Sequence, residues 1–226
     1  MSDISFSRFI VHLSASTNNR AATVLSSFLK AVNVYGVPSH VRSDKGGENA
    51  DVARFMVANR GLHILLAEVS IIKERLLRNV YAGVLDLFYT IFNNLETEGL
   101  LNPDNEVHLY ALHQFFVPHI QKHLEVFQHG WNCHRLSSEE NQSPLQLWTY
   151  HQRDAQQEPL EVGVEYGVDW TGPSGYRQQD VVVPEVQLQR PLTEQEVESF
   201  PKPDGPLSDI LDSYIETVNL LSEMLQ

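Results

Sequence analysis

The segment VPSHVRSDKGGENADV, residues 37–52, holds the first group of residues able to do chemistry. A short apolar strand over 37–43 would deliver Asp44, with Lys45, Gly46 and Gly47 behind it and a helix opening near Glu48 or Asn49. A carboxylate at a strand tip, beside glycines that let another backbone come close, is one way to hold a hard divalent cation against phosphate. It is equally an ordinary turn, in which aspartate bonds its own backbone. The pattern alone leaves both readings open.

A second group lies further on. His108, His113, His119, His123, His129 and His134 fall within 27 residues. His119 and His123 stand four apart, the spacing at which two imidazoles share a helical face and could chelate a transition metal. Cys133 has no regular Cys/His pattern around it, so neither a structural zinc site nor a thiol nucleophile is read from it. Surface or half-buried helix histidines are the expected outcome. Trp131 and Trp148 are expected to pack a helical extension onto a sheet.

The elements that would position these residues follow from apolar spacing. Phe9 to Ser14 reads as a strand and 16–19 as a turn. Val24, Leu25, Phe28, Leu29 and Val32 mark one face of a helix ending near Gly36. Helix is expected again after Asn49, from about Ile71 to Leu95, and over roughly 105–130, where Pro118 should start, kink or divide it. LHILL at 62–66 fits a strand or a buried helix. A polar loop and short helix are expected over 134–148, and a scatter of strands such as VVVPEV at 181–186 after about 155. An amphipathic helix closes the chain, with Leu207, Leu211, Tyr214, Ile215, Val218, Leu221 and Leu225 on a face that needs a cover.

Composition bounds the function. The net charge of −13 is uneven: residues 1–150 hold 12 Lys/Arg against 14 Asp/Glu, a balance of −2, and residues 151–226 hold 4 against 15, a balance of −11. Affinity for nucleic acid is largely a count of neutralised phosphates, so any DNA contact is expected through residues 1–150 and not through the acidic tail. One cysteine excludes an intramolecular disulfide. No apolar run is long enough for a membrane span and no secretory signal is read, so the expected location is intracellular, nuclear rather than cytoplasmic.

Four blocks carry a resemblance: FSR at 6–8, YGVPSHVRSDKGGEN at 35–49, ERLLRNVYAGV at 74–84 and WNCHRLSSEENQSPLQLW at 131–148. Together they resemble the integrase core domain of retroviral and transposon-type integrases, in particular vertebrate proteins derived from such elements. The resemblance implies an α/β fold, an RNase H-like mixed sheet flanked by helices. It also implies an acidic triad that binds two Mg²⁺ or Mn²⁺ ions for in-line phosphoryl transfer. Asp44 matches the second aspartate of that triad and Glu74 the glutamate, which makes both catalytic and metal-binding candidates. Lys45, Arg75 and Arg78 are the expected DNA-phosphate contacts. For Glu74 the alternative is an anion placed favourably near a helix N-terminus.

The sequence departs from the family at two places. Ile4 occupies the position of the first aspartate. Asp3 is one residue away, and a one-residue slip along a strand turns a side chain to the opposite face. The first strand is expected to be truncated. Between Asp44 and Glu74 there are 29 residues, fewer than the family has, and the apolar LHILLAEVSIIK at 62–73 replaces a polar, glycine-rich loop. The expected organisation is an integrase core over 1–98, its helical extension over 99–152 and an acidic region over 153–226, partly disordered and ending in the amphipathic helix. The expected function is a transposon-derived integrase-core protein with an incomplete metal site, weak or inactive in catalysis, that retains DNA or protein association. Two alternatives stay open: an active Mg²⁺-dependent polynucleotidyl transferase or nuclease using Asp44, Glu74 and a displaced Asp3, or a protein-interaction module without a nucleic-acid role. The terminal helix is the expected seat of a protein partner, no membrane is expected, and self-association is left open.

Overall fold

The computed structural model describes residues 7–38, 41–42, 46–60, 65–66, 71–155 and 183–225; the side chains of 42, 60, 65–66, 71–75 and 151–155 lie outside that description. Contacts divide the chain into two compact units. The first comprises Met1–Ser14, Asn18–Arg78 and Val126–Val182. The second comprises Ala15–Thr17, Asn79–Glu125 and Val183–Gln226.

In the first unit, helix α1 (Ala21–Tyr35) starts where Asn18 Oδ1 accepts from the Arg20 N–H at 3.1 Å and from Thr23 Oγ1 at 2.7 Å. It stops at Gly36, whose φ of +84° continues no helix and whose N–H closes on the Val32 carbonyl at 2.8 Å. A 3-10 turn over Gly47–Asn49 leads into α2 (Ala50–Arg60). Met56 and Val52 of α2 are buried and are covered by Val24, Leu25 and Phe28 of α1. Phe28 meets Phe55 edge-on at 5.9 Å. Burial of such side chains stabilises by about 2 kcal/mol each.

The expected mixed sheet is not what the described residues form. They are helical, and their β-structure is a two-residue parallel pair, β1 (Val41–Arg42) beside β2 (Leu65–Leu66), with Val41 opposite Leu65. Nor is Phe9–Ser14 a strand. It runs without regular structure, and its polar groups go to a helix. Asn132 Oδ1 accepts from the Ile10 N–H and Asn132 Nδ2 donates to the Ile10 carbonyl, both at 2.9 Å. Gln128 Nε2 donates to the same carbonyl at 2.8 Å, and Trp131 Nε1 donates to the Arg8 carbonyl at 2.8 Å. All three side chains belong to α5 (Glu106–Cys133), reached below through α3 and α4. A segment bonded in this way has no main-chain groups left at Ile10 for a ladder. Arg8 turns the chain with a left-handed φ of +56°.

The tryptophans therefore pack onto this segment and not onto a sheet. Phe9 stacks on Trp148 at 5.4 Å and meets Tyr35 edge-on at 5.7 Å. Trp148 sits in α6 (Pro144–Ala155). Its start is a reciprocal cap, Ser143 Oγ accepting from the Gln146 N–H and Gln146 Oε1 from the Ser143 N–H, with Pro144 in the first turn, where the missing N–H costs nothing. The polar loop before α6 turns through Glu140 and Asn141, both at positive φ.

The stretch expected as one helix from Ile71 is α3 (Ile71–Val80), a π-helical turn over Tyr81–Leu85, and α4 (Asp86–Thr97). Val80, Val84 and Phe88 are all buried. At 3.6 residues per turn a four-residue step over-rotates by about 40°. The wider turn absorbs that excess and keeps the three side chains in one row.

In the second unit α4 and the first part of α5 bury an aromatic row. Phe92 meets Phe116 edge-on at 5.1 Å, and Phe116 meets Tyr214 at 5.9 Å. Pro118 does not divide α5, which runs unbroken through it despite the lost amide donor. The chain after 182 has no strand at 183–186, and Pro184 has no N–H to give one. Thr193 and Glu196 form a capping box on α7 (Glu194–Glu198), and Arg190 grips the Glu196 carboxylate at 2.6 and 2.9 Å. The terminal helix α8 (Leu207–Met224) buries Ile210, Tyr214, Thr217, Val218 and Leu221. Its apolar face is thus covered within its own unit.

Two stability predictions follow from these contacts. Asn132→Ala should lower unfolding free energy by roughly 2–3 kcal/mol, because the Ile10 N–H stays buried without an acceptor. Urea denaturation reads this, with Trp131→Phe, which removes the indole N–H, as a milder comparison of about 1 kcal/mol. Tyr214 donates to the Leu100 carbonyl at 3.1 Å, and burial pushes its phenol up to about 12. An unfolded tyrosine ionises near about 10. Stability carried by this difference is whole below pH 10 and is lost as pH rises from there through about 12. Denaturation series from pH 8 upward should show that alkaline fall flattened in Tyr214→Phe.

Candidate functional site

In sequence, the candidate carboxylates flank the parallel pair. Two strands running the same way deliver the chain from the same end, where α/β proteins commonly place their ligands. Asp44 lies two residues beyond β1, and β2 is followed by α3, with Glu74 as its fourth residue. Asp3, Ile4, Asp44 and Lys45 lie outside the described residues, and so do the side chains of Glu74 and Arg75. Arg78, in the last turn of α3, is exposed.

The described residues beside Asp44 form an acidic helix start. Glu48 and Asp51 stand in the first turns after Gly46, where a helix N-terminus favours negative charge. The Glu48 carboxylate folds over Gly46 so closely that a Cβ there would collide with it. Asp51 is paired with Arg54 at 2.6 Å. That ion pair engages the Asp51 carboxylate within its own helix. Among the described residues no three His, Cys, Asp or Glu side chains gather as they would around a metal ion.

His12 is a titratable group that reading by motif passed over. It lies on the clamped segment after Ile10, and its Nε2 is buried without a hydrogen-bond partner. Burial, and then the Lys30 ammonium, hold its imidazole below the usual histidine range. Nothing in the sequence marked it, because the apolar alternation around it made it one more strand residue.

His119 and His123, four apart and so able in principle to chelate, each turn a ring nitrogen to a backbone carbonyl. His119 is buried with Nε2 against the Pro203 carbonyl at 3.2 Å. His123 turns Nδ1 to the His119 carbonyl at 2.8 Å and sets its ring edge-on to Phe88 at 5.2 Å. Further along α5 the structure brings together a pair that the sequence reading left apart: His129 Nε2 and Cys133 Sγ, 3.9 Å from each other and both exposed. The signal was present as a spacing of four.

With this geometry in place, the sequence matches the integrase core domain family model over residues 3–159 of 226. The chain belongs to the integrase core domain family. No curated protein and no solved structure matches it. The family match covers β1, β2, the clamp on Ile10 and α6. Asp44 and Glu74 carry oxygen donors of the kind that hard Mg²⁺ or Mn²⁺ ions take, and Ile4 carries none. Two carboxylates hold such a pair of ions poorly, since every missing anion removes a large local attraction. Among the described residues no helix is long and apolar enough to cross a membrane.

The His12 environment makes a pH prediction. Its folded pKa lies below the unfolded 6.5, so the stability it carries is present above pH 6.5 and is lost as pH falls towards the folded value. Lys30→Met should raise the His12 pKa, seen by NMR titration of the ring protons, yet leave it below 6.5, because burial is the larger cause. A value that does not move would remove the lysine from the account.

Proposed function

We propose that this integrase core domain is derived from a transposable element and no longer carries out efficient strand transfer. Its remaining role in this reading is association with DNA through residues 1–150. The reading rests on Ile4, which the resemblance sets at the position of the first aspartate, within a family match over residues 3–159. An aliphatic side chain cannot ligate a cation, so Asp44 and Glu74 would be the remaining ligands. Mg²⁺ or Mn²⁺, if bound, would supply Lewis-acid activation of water or a 3′-hydroxyl. Lys45, Arg75 and Arg78 would neutralise phosphates around that weakened centre. The near-neutral balance of residues 1–150, −2 against −11 for the remainder, supports placing DNA there.

Two assays on the full chain test this. With duplex DNA and Mg²⁺ or Mn²⁺, cleavage and strand transfer should not exceed the level of Asp44→Asn; activity that this substitution abolishes would overturn the proposal. DNA binding measured by anisotropy should weaken on the order of tenfold or more between 50 and 200 mM salt, as a few phosphate contacts require. Arg78→Ala should reduce both the affinity and the salt slope. Absence of binding at the lowest salt would leave the domain without a nucleic-acid role.

A further inference from the structure

The turn between α4 and α5 carries a histidine whose hydrogen bonds cannot all hold at once. Gly99, at a φ of +74°, ends α4, and the chain passes Leu100, Leu101 and Asn102 before α5 begins. His108, in the first turn of α5, sends its ring back to that turn. Its Nδ1 lies 3.3 Å from the Asn102 nitrogen, 3.1 Å from the Leu100 carbonyl oxygen and 3.5 Å from the Tyr214 hydroxyl. Tyr214 also reaches the Leu100 carbonyl, at 3.1 Å. All of these groups belong to the second unit.

An imidazole nitrogen either carries a proton and donates, or is bare and accepts. The Asn102 N–H is directed at Nδ1, which fits a bare nitrogen and puts the proton of the neutral ring on Nε2. In that state Nδ1 and the Leu100 oxygen face each other as two acceptors, and the Tyr214 hydroxyl supplies the hydrogen for the carbonyl. A proton added at Nδ1 reverses this. Nδ1–H then donates to the Leu100 carbonyl in a charge-assisted bond, and meets the Asn102 N–H as donor against donor. Each state satisfies one neighbour of the ring and turns away the other.

The released amide is not stranded, because Asn102 is exposed and water takes its N–H. Asn102 is also the pivot of the turn. Its Oδ1 accepts from the Asp104 N–H at 3.0 Å and its carbonyl from the Asn105 N–H at 3.1 Å. Asn105 Oδ1 in turn accepts from the Val107 N–H at 2.9 Å, at the start of α5. Neighbouring groups leave the ring in control. Tyr214 on α8, pushed up to about 12 by burial, stays neutral where histidines titrate. The acids at the end of α4 (Glu96 and Glu98), in the turn and the start of α5 (Asp104 and Glu106) and on α8 (Asp212 and Glu216) are exposed to screening water.

We propose that His108 is a proton-operated latch on the α4–α5 turn: bare at Nδ1 it holds the Asn102 amide, and protonated there it lets that amide go and takes the Leu100 carbonyl. Acid thus moves the hold of α5 from the pivot of the turn to the end of α4. The latch is separate from Asp44 and Glu74 and stands or falls independently of the proposed function.

NMR on the full chain, from about pH 8 to about pH 5, tests this. Nitrogen shifts of the His108 ring should show a bare Nδ1 and a proton on Nε2 in the neutral form. Hydrogen exchange of the Asn102 amide, corrected for its intrinsic rate, should lose about fivefold protection across the titration of the ring, as loss of one hydrogen bond gives. The Leu100 carbonyl carbon should shift with the same midpoint. In His108→Gln, with folding checked by far-UV circular dichroism, Asn102 protection should no longer depend on pH. A neutral ring protonated at Nδ1, Asn102 protection that does not follow the His108 titration, or the same pH dependence in His108→Gln would each overturn the proposal.

Discussion

The first unit depends on one side-chain amide. Asn132 offers a carbonyl and an NH₂ to the N–H and carbonyl of Ile10, and so plays the part that a neighbouring strand would play. A buried backbone group left without a partner costs roughly 1–3 kcal/mol, which makes this pairing obligatory and not decorative. Gln128 and Trp131 extend it along the same segment, and Phe9 is then held between Trp148 and Tyr35. Arg8 of the FSR block and Trp131 of the WNC block, two stretches that carry the family resemblance, are thereby two sides of one contact. That gives their joint presence a physical meaning: neither satisfies its polar groups alone.

The second unit is built on different terms. Its core is aromatic and aliphatic, with Phe92, Phe116 and Tyr214 in edge-to-face sequence, and its buried polar atoms are tied to carbonyls at Leu100 and Pro203. Thr217 Oγ1 is an exception, buried without a partner. The terminal helix spends its apolar face on this core. An acidic tail that looks like a solubilising segment by charge is, at Leu207–Met224, a packed element. Net charge speaks to solubility and to partners, and says nothing of packing.

Function follows from what the integrase core domain keeps and lacks. Family membership rests on blocks distributed over the first 159 residues, while the described residues fold mainly as helices with a two-residue parallel pair. A metal centre needs its anions simultaneously, because two divalent charges close together repel one another unless carboxylates lie between them. In the proposed reading, isoleucine in place of one acid removes more than one ligand's share. A scaffold can survive such a loss intact, since packing does not depend on the ions.

Much was legible in the sequence by itself. Apolar spacing placed α1, α5 and α8 nearly to their ends, and Gly36 marked a helix stop. These are local properties, set within a few residues by periodicity and backbone freedom. The tertiary structure alone decided what pairs with Phe9–Leu13, since Ile10 and Asn132 are 122 residues apart and alternation cannot tell a strand partner from a helix side chain. It turned His119 and His123 inward and left His129 beside Cys133, because one helix presents different faces to its core and to solvent along its length. It also widened the turn at Tyr81–Leu85, where keeping one buried row outweighed regular helix geometry.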